Sequence, residues 1–494
     1  MSPKRVLSDW CPAVSKSAQA YGYDTIRVPL IGNPSNRESS ASKDQVFYNV
    51  IVDAMKSPLT NQYNEVQKPS LIKRGAFVAN STPDAGGGVG RGLYYWSRSG
   101  KTYSVIDNIL YSNTTNIQTL TTSTGTCWFQ EATGSTDVLI ISDGTDMFTI
   151  STSDVVTDIT DVDMPAGPLS PVSLDGYVFI VKSGTDEIYN SNVDAPTAWT
   201  ASDFLSAEMY PDNLVALARQ TNYVVAFGSF STEFFYDNEN ASGSPLKRNE
   251  SIALKTGLAA RDSLAQSDRR LIFIGQSNTG DPSVWAFDGL TPAKVSTEFI
   301  DRLLYAEGST LSTTRTWICR HKGHVLYVIN LVGLGRSLVY DLDTKIWSDW
   351  SINSGGSHAI LPFGFATQAA NNVVLVLHNT DGKIYKLDPT LYQDDAGAIL
   401  IKIVTNRIDF GTGTQKRIFR AELIADVQTT GTVTMDWTDD DYVTFSTTRS
   451  LDLTTRPYTK GLGVHRRPAF RLLHSANAAF RCEGIEFDYS LGVH

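Results

Sequence analysis

Short apolar runs alternate with polar corners along most of this chain. The stretch VLIISDGTDMFTI (Val138–Ile150) reads as an apolar run, a Gly-Thr-Asp corner and an aromatic, and VFIVKSGTDEIYNSN (Val178–Asn192) repeats it. Period-two alternation, as in YVVAF and HVLYVI, predicts half-buried strands. Gly at a corner permits positive φ, while Asp or Asn caps the turn, so each unit predicts a strand hairpin. The two Gly-Thr-Asp corners, with Gly144 and Gly184 forty residues apart, are expected to be turn formers in consecutive units and not ligands.

The pattern recurs beyond that pair. Strand-turn-strand units carry a late aromatic at Tyr111, Phe148, Tyr189, Tyr236, Phe287, Tyr340 and Tyr385, at intervals of 37, 41, 47, 51, 53 and 45 residues. Repeats of about 40–50 residues are the spacing of β-propeller blades. A lone meander buries a face only against a neighbouring sheet, so such units must stack around an axis until they close. Seven markers make six or seven blades, because the first or last can be half of a split blade.

The flanks break this rhythm. Residues 1–80 hold short strands and Pro-broken loops, and from 398 to 494 longer strands appear, among them RIFRAELIADV and GIEFDYSL. The predicted architecture is all-β: a propeller over 81–397, with a β-sandwich-like platform formed by segments 1–80 and 398–494. One helix is predicted at Ser296–Gly308, with Ser296 as its N-cap.

Composition narrows the class. With 41% hydrophobic and 19% charged residues, the chain can fill globular cores. No window reaches the roughly 18 apolar residues of a membrane span. The first 19 residues lack an apolar signal core, so no secretory leader is expected. Cys11, Cys127, Cys319 and Cys482 lie far apart without a CxxC pair, which predicts free thiols instead of a disulfide or zinc framework. A net charge of −10 argues against tight nucleic-acid binding, which draws its energy from neutralised phosphates. Basic residues cluster only locally, as Lys73–Arg74, Lys416–Arg420 and Arg466–Arg471.

Candidate chemistry is sparse. SGKTY (Ser99–Tyr103) lacks the upstream Gly of a phosphate loop, since Tyr95 occupies that position. AGGGVGRG (Ala85–Gly92) misses the dinucleotide spacing and is expected to be a flexible linker. Seven histidines show no metal-ligand spacing, and His321, His324 and His378 are expected in ordinary polar or half-buried roles. The acidic pairs Asp439–Asp441, Asp394–Asp395 and Asp161–Asp163 are expected in solvated turns. TDDDYVTF (Thr438–Phe445) resembles the sialidase Asp-box with Tyr442 in place of Gly, which predicts a hairpin outside the propeller. No catalytic, cofactor or metal residue is expected.

Three stretches together resemble one family: SPLTNQYNEVQKPSLIKRGAF (Ser57–Phe77), TNYVVAFGSFSTEFFYDNEN (Thr221–Asn240) and the run from Ser251 to Gly289. The carriers are Phe227–Gly228, Thr232–Glu233, Lys255–Gly257 and Pro282–Val284, over about 70 residues. Arg74–Gly75 stands where the family often has Arg-Pro-Gly. These features resemble the DNA-stabilisation, or tail-nozzle, proteins of short-tailed bacteriophages. The resemblance implies a structural, non-enzymatic virion protein of the tail, assembled in the host cytoplasm. It further implies a homo-hexameric ring with six-bladed propellers, below the portal and its adaptor. That ring would retain and conduct genome DNA, seat a tail needle or distal tip, and bear tailspikes or fibres. Lys416, Arg417, Arg420, Arg466 and Arg467 are expected at the adaptor or a neighbouring subunit. Two other classes stay open on the residues alone: a propeller glycoside hydrolase and a glycan- or protein-binding adhesin.

Overall fold

The computed structural model describes residues 24–31, 45–53, 69–134, 137–240, 242–267 and 270–492. The chain forms two compact units, one of residues 77–345 and 360–388, the other of residues 1–76, 346–359 and 389–494. The sequence reading drew its boundaries at 80/81 and 397/398 and kept 346–359 inside the propeller; here that segment returns to the terminal unit.

The larger unit is a sequence of antiparallel meanders spanning 90–119, 128–158, 168–206, 214–254, 257–294, 315–341 and 363–388. Each of the seven aromatic markers falls on the third strand of its own sheet: Tyr111 on Ile109–Ser112, Phe148 on Met147–Ile150, and so on to Tyr385 on Ile384–Asp388. The two Gly-Thr-Asp corners join second to third strands in consecutive sheets, with Gly144 and Gly184 at φ +87° and +79°. Each sheet touches the next, at most junctions inner strand to inner strand, and the seventh touches the first. Its outer strand is Ala76–Ser81, supplied from the N-terminal side. The seventh sheet is therefore assembled from both sides of the larger unit's sequence.

Wedging inner strands together demands small residues at the axis. Gly90 and Gly92 lie within the strand Gly90–Trp96, not in a flexible linker as the composition suggested. A Cβ on Gly90 would sit 2.6 Å from the His378 carbonyl of the seventh sheet, and one on Gly92 would sit 2.8 Å from the Cys127 carbonyl at the second. Between them, Arg91 is fully buried. The residues that carried the family resemblance make the junction of sheets four and five. A side chain at Gly257 would run into the Gly228 carbonyl, and Thr232 donates to the Thr256 carbonyl at 2.6 Å. Phe227, Phe234, Phe273 and Phe287 fill the space between these two sheets. Nonpolar burial of this kind between stacked sheets is what holds a propeller together.

The predicted helix spans Glu298–Glu307 with Gly308 as its C-cap, but its N-cap is Thr297, whose side chain accepts from the Ile300 amide. Ser296 instead donates its hydroxyl to Asp301 at 2.5 Å and accepts from the Val284 amide.

The smaller unit is a β-sandwich. One sheet runs Val50–Asp53, Ser70–Lys73, Arg481–Leu491, Lys416–Ala425, Tyr458–His465, with Asp24–Pro29 also on Arg481–Leu491. The other runs Trp347–Trp350, Val46–Tyr48, Ile401–Val404, Ala469–His474, Thr432–Thr438, Arg449–Asp452. Their inner faces share one core that includes Val50, Leu71, Ile403, Leu423, Met435, Phe470 and Phe487. Near it, Asp440 accepts hydrogen bonds from the Val443 and Thr444 amides and the Thr438 hydroxyl, as the Asp-box pattern predicts for a hairpin. Tyr442, at the Gly position, adopts φ +63° and donates its hydroxyl to the Thr405 carbonyl at 2.9 Å.

Among the described residues no helix is long and apolar enough to cross a membrane. Cys127, Cys319 and Cys482 are buried free thiols, and burial pushes Cys127 and Cys319 up to about 12; Cys11 lies outside the described residues, as does the N-terminal stretch read for a leader.

Candidate functional site

Two places concentrate charge. The first is the propeller axis. A cavity of about 300 Å³ is lined by residues from all seven sheets, from Leu93 in the first to Phe365 in the seventh. The short 3-10 turn Arg261–Ser263 of the fifth sheet reaches across it. Asp262 accepts a hydrogen bond from Thr126 at 2.5 Å, and the Arg261 guanidinium lies 5.0 Å from the Trp128 ring centroid. Thr126 and Trp128 belong to the second sheet and the loop leading into it. Sheets two and five are separated by two sheets on one side and three on the other, so this turn bridges the ring and plugs its axis.

Two further guanidiniums, which are not among the residues lining the cavity, are held by the first, sixth and seventh sheets. Arg91 hydrogen-bonds the carbonyls of Gly125, Asp107, Thr122 and Thr124 and the Thr122 hydroxyl. Thr122 in turn donates to Asp143 at 3.0 Å. Arg315 donates to the Gly90 carbonyl at 3.1 Å, and its guanidinium sits 4.9 Å from the Phe365 ring centroid. Burial and the neighbouring Arg91 disfavour the charged form of Arg315, which Asp262 partly offsets. Arg261 and Asp262 approach only to 3.7 Å, and Arg261 Nε and Asp262 Oδ1 are buried without hydrogen bonds.

The second place is the outer face of the sandwich, where the five basic residues singled out from the sequence lie. Arg417, Arg466 and Arg467 are exposed, and Arg417 lies over the Phe419 ring. The backbone amides of Arg466 and Arg467 donate to Asp439. Arg420 pairs with Glu422, lies 3.8 Å from Asp488 and covers the Tyr458 ring. Lys416 differs. It is fully buried, and its ammonium donates to the carbonyls of Thr412 and Arg466 at 2.5 and 2.8 Å. A buried ammonium held by its own chain cannot reach a partner, so Lys416 leaves the set.

The acidic pairs divide in the same way. Asp161 accepts the amides of Asp163 and Trp199, an exposed turn as expected. Asp394 is not solvated: it is buried against Arg74, its carboxylate 2.6 and 2.9 Å from the guanidinium. SGKTY is a turn with Gly100 at φ +68°. His321 and His324 are buried, and His324 hydrogen-bonds Asp341 at 2.8 Å. Among the described residues no group of three or more His, Cys, Asp or Glu side chains is placed to hold a metal ion. Sequence reasoning quoted Arg261 and Asp262 within a family stretch but assigned them nothing, and it passed over Arg315. A turn that crosses a ring leaves no periodic signal.

A closed ring of antiparallel meanders, its axis crossed by a turn and its chain ends gathered into a sandwich, defines a β-propeller protein. A family model described as Phage_stabilise, "Bacteriophage P22 Gp10, beta-propeller", matches residues 58–392. The chain belongs to this family, a bacteriophage structural family, and is a virion component of the phage-stabilising kind. No curated protein matches it. Among solved structures it is similar to a streptogramin B lyase (12% identity, TM-score 0.40, covering 63% of this chain and 96% of that one). It is also similar to the extracellular domain of a putative hybrid two component system from B. thetaiotaomicron (10%, 0.44, 70% and 43%) and to YCF48 bound to D1 peptide (12%, 0.37, 64% and 99%). At these scores none of the three bears on function.

Proposed function

We propose that this chain is a tail nozzle: a homo-hexamer that extends the portal–adaptor channel, retains packaged DNA and conducts it on ejection. Assembly takes place in the host cytoplasm, and the ring seats a needle or distal tip and bears spikes or fibres. Family membership supports the class. The observation that carries the conduit reading is the contact of Asp262 with Thr126. A turn bridging the propeller axis leaves no path for a duplex through one subunit, so the lumen must lie between subunits. A heterologous interface that closes by rotation makes such a lumen. A net charge of −10 per subunit suits sliding, because phosphate contacts would make DNA binding tight and release slow. Retention then comes from a tip protein or an inward loop.

The exposed Arg417, Arg466 and Arg467 are the side chains we assign to the adaptor or the neighbouring subunit, with Arg420 behind them. Mass measurement and negative-stain imaging of the chain mixed with its portal–adaptor complex test the reading. Six copies in a ring are expected, and loss of attachment in the triple Glu variant of those three arginines. A chain that stays monomeric beside a competent portal–adaptor complex overturns it.

A further inference from the structure

Strand direction alternates within each antiparallel meander, so the corners joining second to third strands lie at the same end of the propeller as the connections from sheet to sheet. Hydrogen bonds tie the two sets together. The Asp212 carboxylate accepts the Phe230 and Ser231 amides, and the Gly88 amide donates to the Thr380 carbonyl. Glu307 accepts the Gly333 and Leu334 amides at 2.6 and 3.0 Å. This end exposes apolar side chains. Val332 and Leu334, at the corner of the sixth sheet, are 61% and 39% exposed, and Tyr305 on the adjoining helix is 67% exposed. Glu307 is itself buried and also accepts from the Thr310 hydroxyl at 2.9 Å, so its clamp fixes the backbone of an apolar tip that points into water. Val162 and Phe230, in the same set of loops, are exposed as well. Apolar groups gathered in this way on a surface mark an interaction site.

The same loops hold the chain's negative charge. The connections are 82–89, 120–127, 159–167, 207–213, 255–264 and 295–314, and the corners are 107–108, 143–146, 183–186, 229–231, 277–282, 332–335 and 379–383. Together they contain fifteen Asp and Glu against four Lys and Arg, an excess no smaller than the whole chain's net −10. The rest of the chain is therefore close to neutral. An acidic surface with apolar tips is matched by a basic surface with apolar neighbours, and the chain carries one. Arg417, Arg466 and Arg467 are exposed on the sandwich. Beside them Val464, opposite Arg417 on the next strand, Phe419, beneath its guanidinium, and Leu491 are exposed too.

We propose that the loop end of the propeller is the docking surface for a second copy of this chain, which presents to it the Arg417, Arg466 and Arg467 corner of its sandwich. This rests on the nozzle reading and deepens it, because it names the neighbouring subunit as what those arginines meet. The two surfaces differ, so the contact is heterologous and repeats from copy to copy, closing into a ring when its rotation fits. Complementary charge orients the encounter and rejects acidic end against acidic end. The tip of Val332 and Leu334, with Tyr305, supplies the apolar centre that such an interface needs.

Mass measurement of the full-length chain over a range of concentrations, alone and with its portal–adaptor complex, reads assembly. One variant reverses the acidic end through Asp163→Lys, Glu208→Lys and Asp281→Lys, all at exposed positions. The other reverses the corner through Arg417→Glu, Arg466→Glu and Arg467→Glu. Each alone sets like charges across the contact and is expected to weaken assembly about a hundredfold or more. Mixed in equal amounts, the two variants are complementary at both surfaces and should rebuild a ring of alternating copies, recognised by its mass. Val332→Ser with Leu334→Ser should weaken association about tenfold at unchanged charge. Arg98→Glu, between the first and second strands and so at the opposite end, should assemble as the parent does. Every substituted side chain is exposed, so the variants are expected to fold, which circular dichroism checks. If the parent forms rings and both charge-reversed variants form them equally well, the inference fails and the nozzle reading stands. If both lose assembly and the mixture does not regain it, the two surfaces are not partners and the inference fails. A parent that stays monomeric in every condition overturns the nozzle reading and this inference with it.

Discussion

Arg74 and Asp394 form a two-pronged ion pair, Nη1 to Oδ1 at 2.9 Å and Nη2 to Oδ2 at 2.6 Å, with both side chains essentially inaccessible to solvent. The same guanidinium donates to Asn49, to the Gly75 carbonyl and to the Ser351 carbonyl. The three chain segments of the sandwich unit thus meet at one side chain: 1–76 brings Arg74 and Asn49, 346–359 brings Ser351, and 389–494 brings Asp394. Arg74 sits in the N-terminal motif that carried part of the family resemblance. The pair gives that motif a structural reason.

Removing one partner of a buried pair leaves an unmet charge, which costs about 3–5 kcal/mol. Asp394→Ala is therefore expected to lower the unfolding free energy of the sandwich unit by that order. Urea unfolding followed by the fluorescence of the chain's tryptophans measures it. A change below about 1 kcal/mol would mean the pair is not formed as described.

The aromatic stack between sheets four and five should behave as a core. Phe273 lies 5.0 Å from Phe227 and 5.7 Å from Phe287, centroid to centroid, and is buried. Phe273→Ala is expected to cost about 3–5 kcal/mol, transfer and cavity together. Because the ring closes on itself, the loss should appear as a lower Tm of the whole propeller in calorimetry and not as local fraying.

Acidification should weaken the sandwich through His358 and His474. Burial holds both near pKa 4, below the ordinary 6.5. Above pH 6.5 both states are neutral and no difference arises. As pH falls from about 6.5 towards 4 the unfolded chain takes up the proton first, so stability is lost across that window and the loss levels off below it. Neither nitrogen of His474 has a hydrogen-bond partner, and its ring stacks on Phe480 at 4.9 Å. His474→Phe is expected to reduce the pH dependence between 6.5 and 4 by roughly half, His358 carrying the rest, and to leave stability at pH 7.5 within about 1 kcal/mol. Denaturation midpoints across that range decide it.

Tyr442 offers a test of what replaces a missing glycine. Its left-handed backbone costs about 1–2 kcal/mol, yet the ring is buried and the hydroxyl anchors Thr405. Tyr442→Gly relieves the backbone and empties the site. A net loss of about 2 kcal/mol is expected, against a net gain if the hairpin alone mattered.

Much of this architecture was legible along the chain. Seven aromatics at intervals near 40–50 residues marked seven third strands, because each sheet repeats one hairpin grammar and each hairpin needs the same turn residues. The terminal strands, longer and outside the rhythm, pointed to a second β unit for the same reason. Local chemistry could not reveal which residues meet across the ring or between distant segments. Asp394 looked like a turn carboxylate until Arg74, 320 residues away, was folded onto it. Lys416 looked like an outward cation until two carbonyls enclosed its ammonium. The Arg261–Asp262 turn carried no signal at all, since its meaning lies in reaching Thr126 on the far side of an axis. Spacing along a strand is set by its own backbone and is written in order; partnership between strands far apart depends on closure, and closure exists only once the chain has folded.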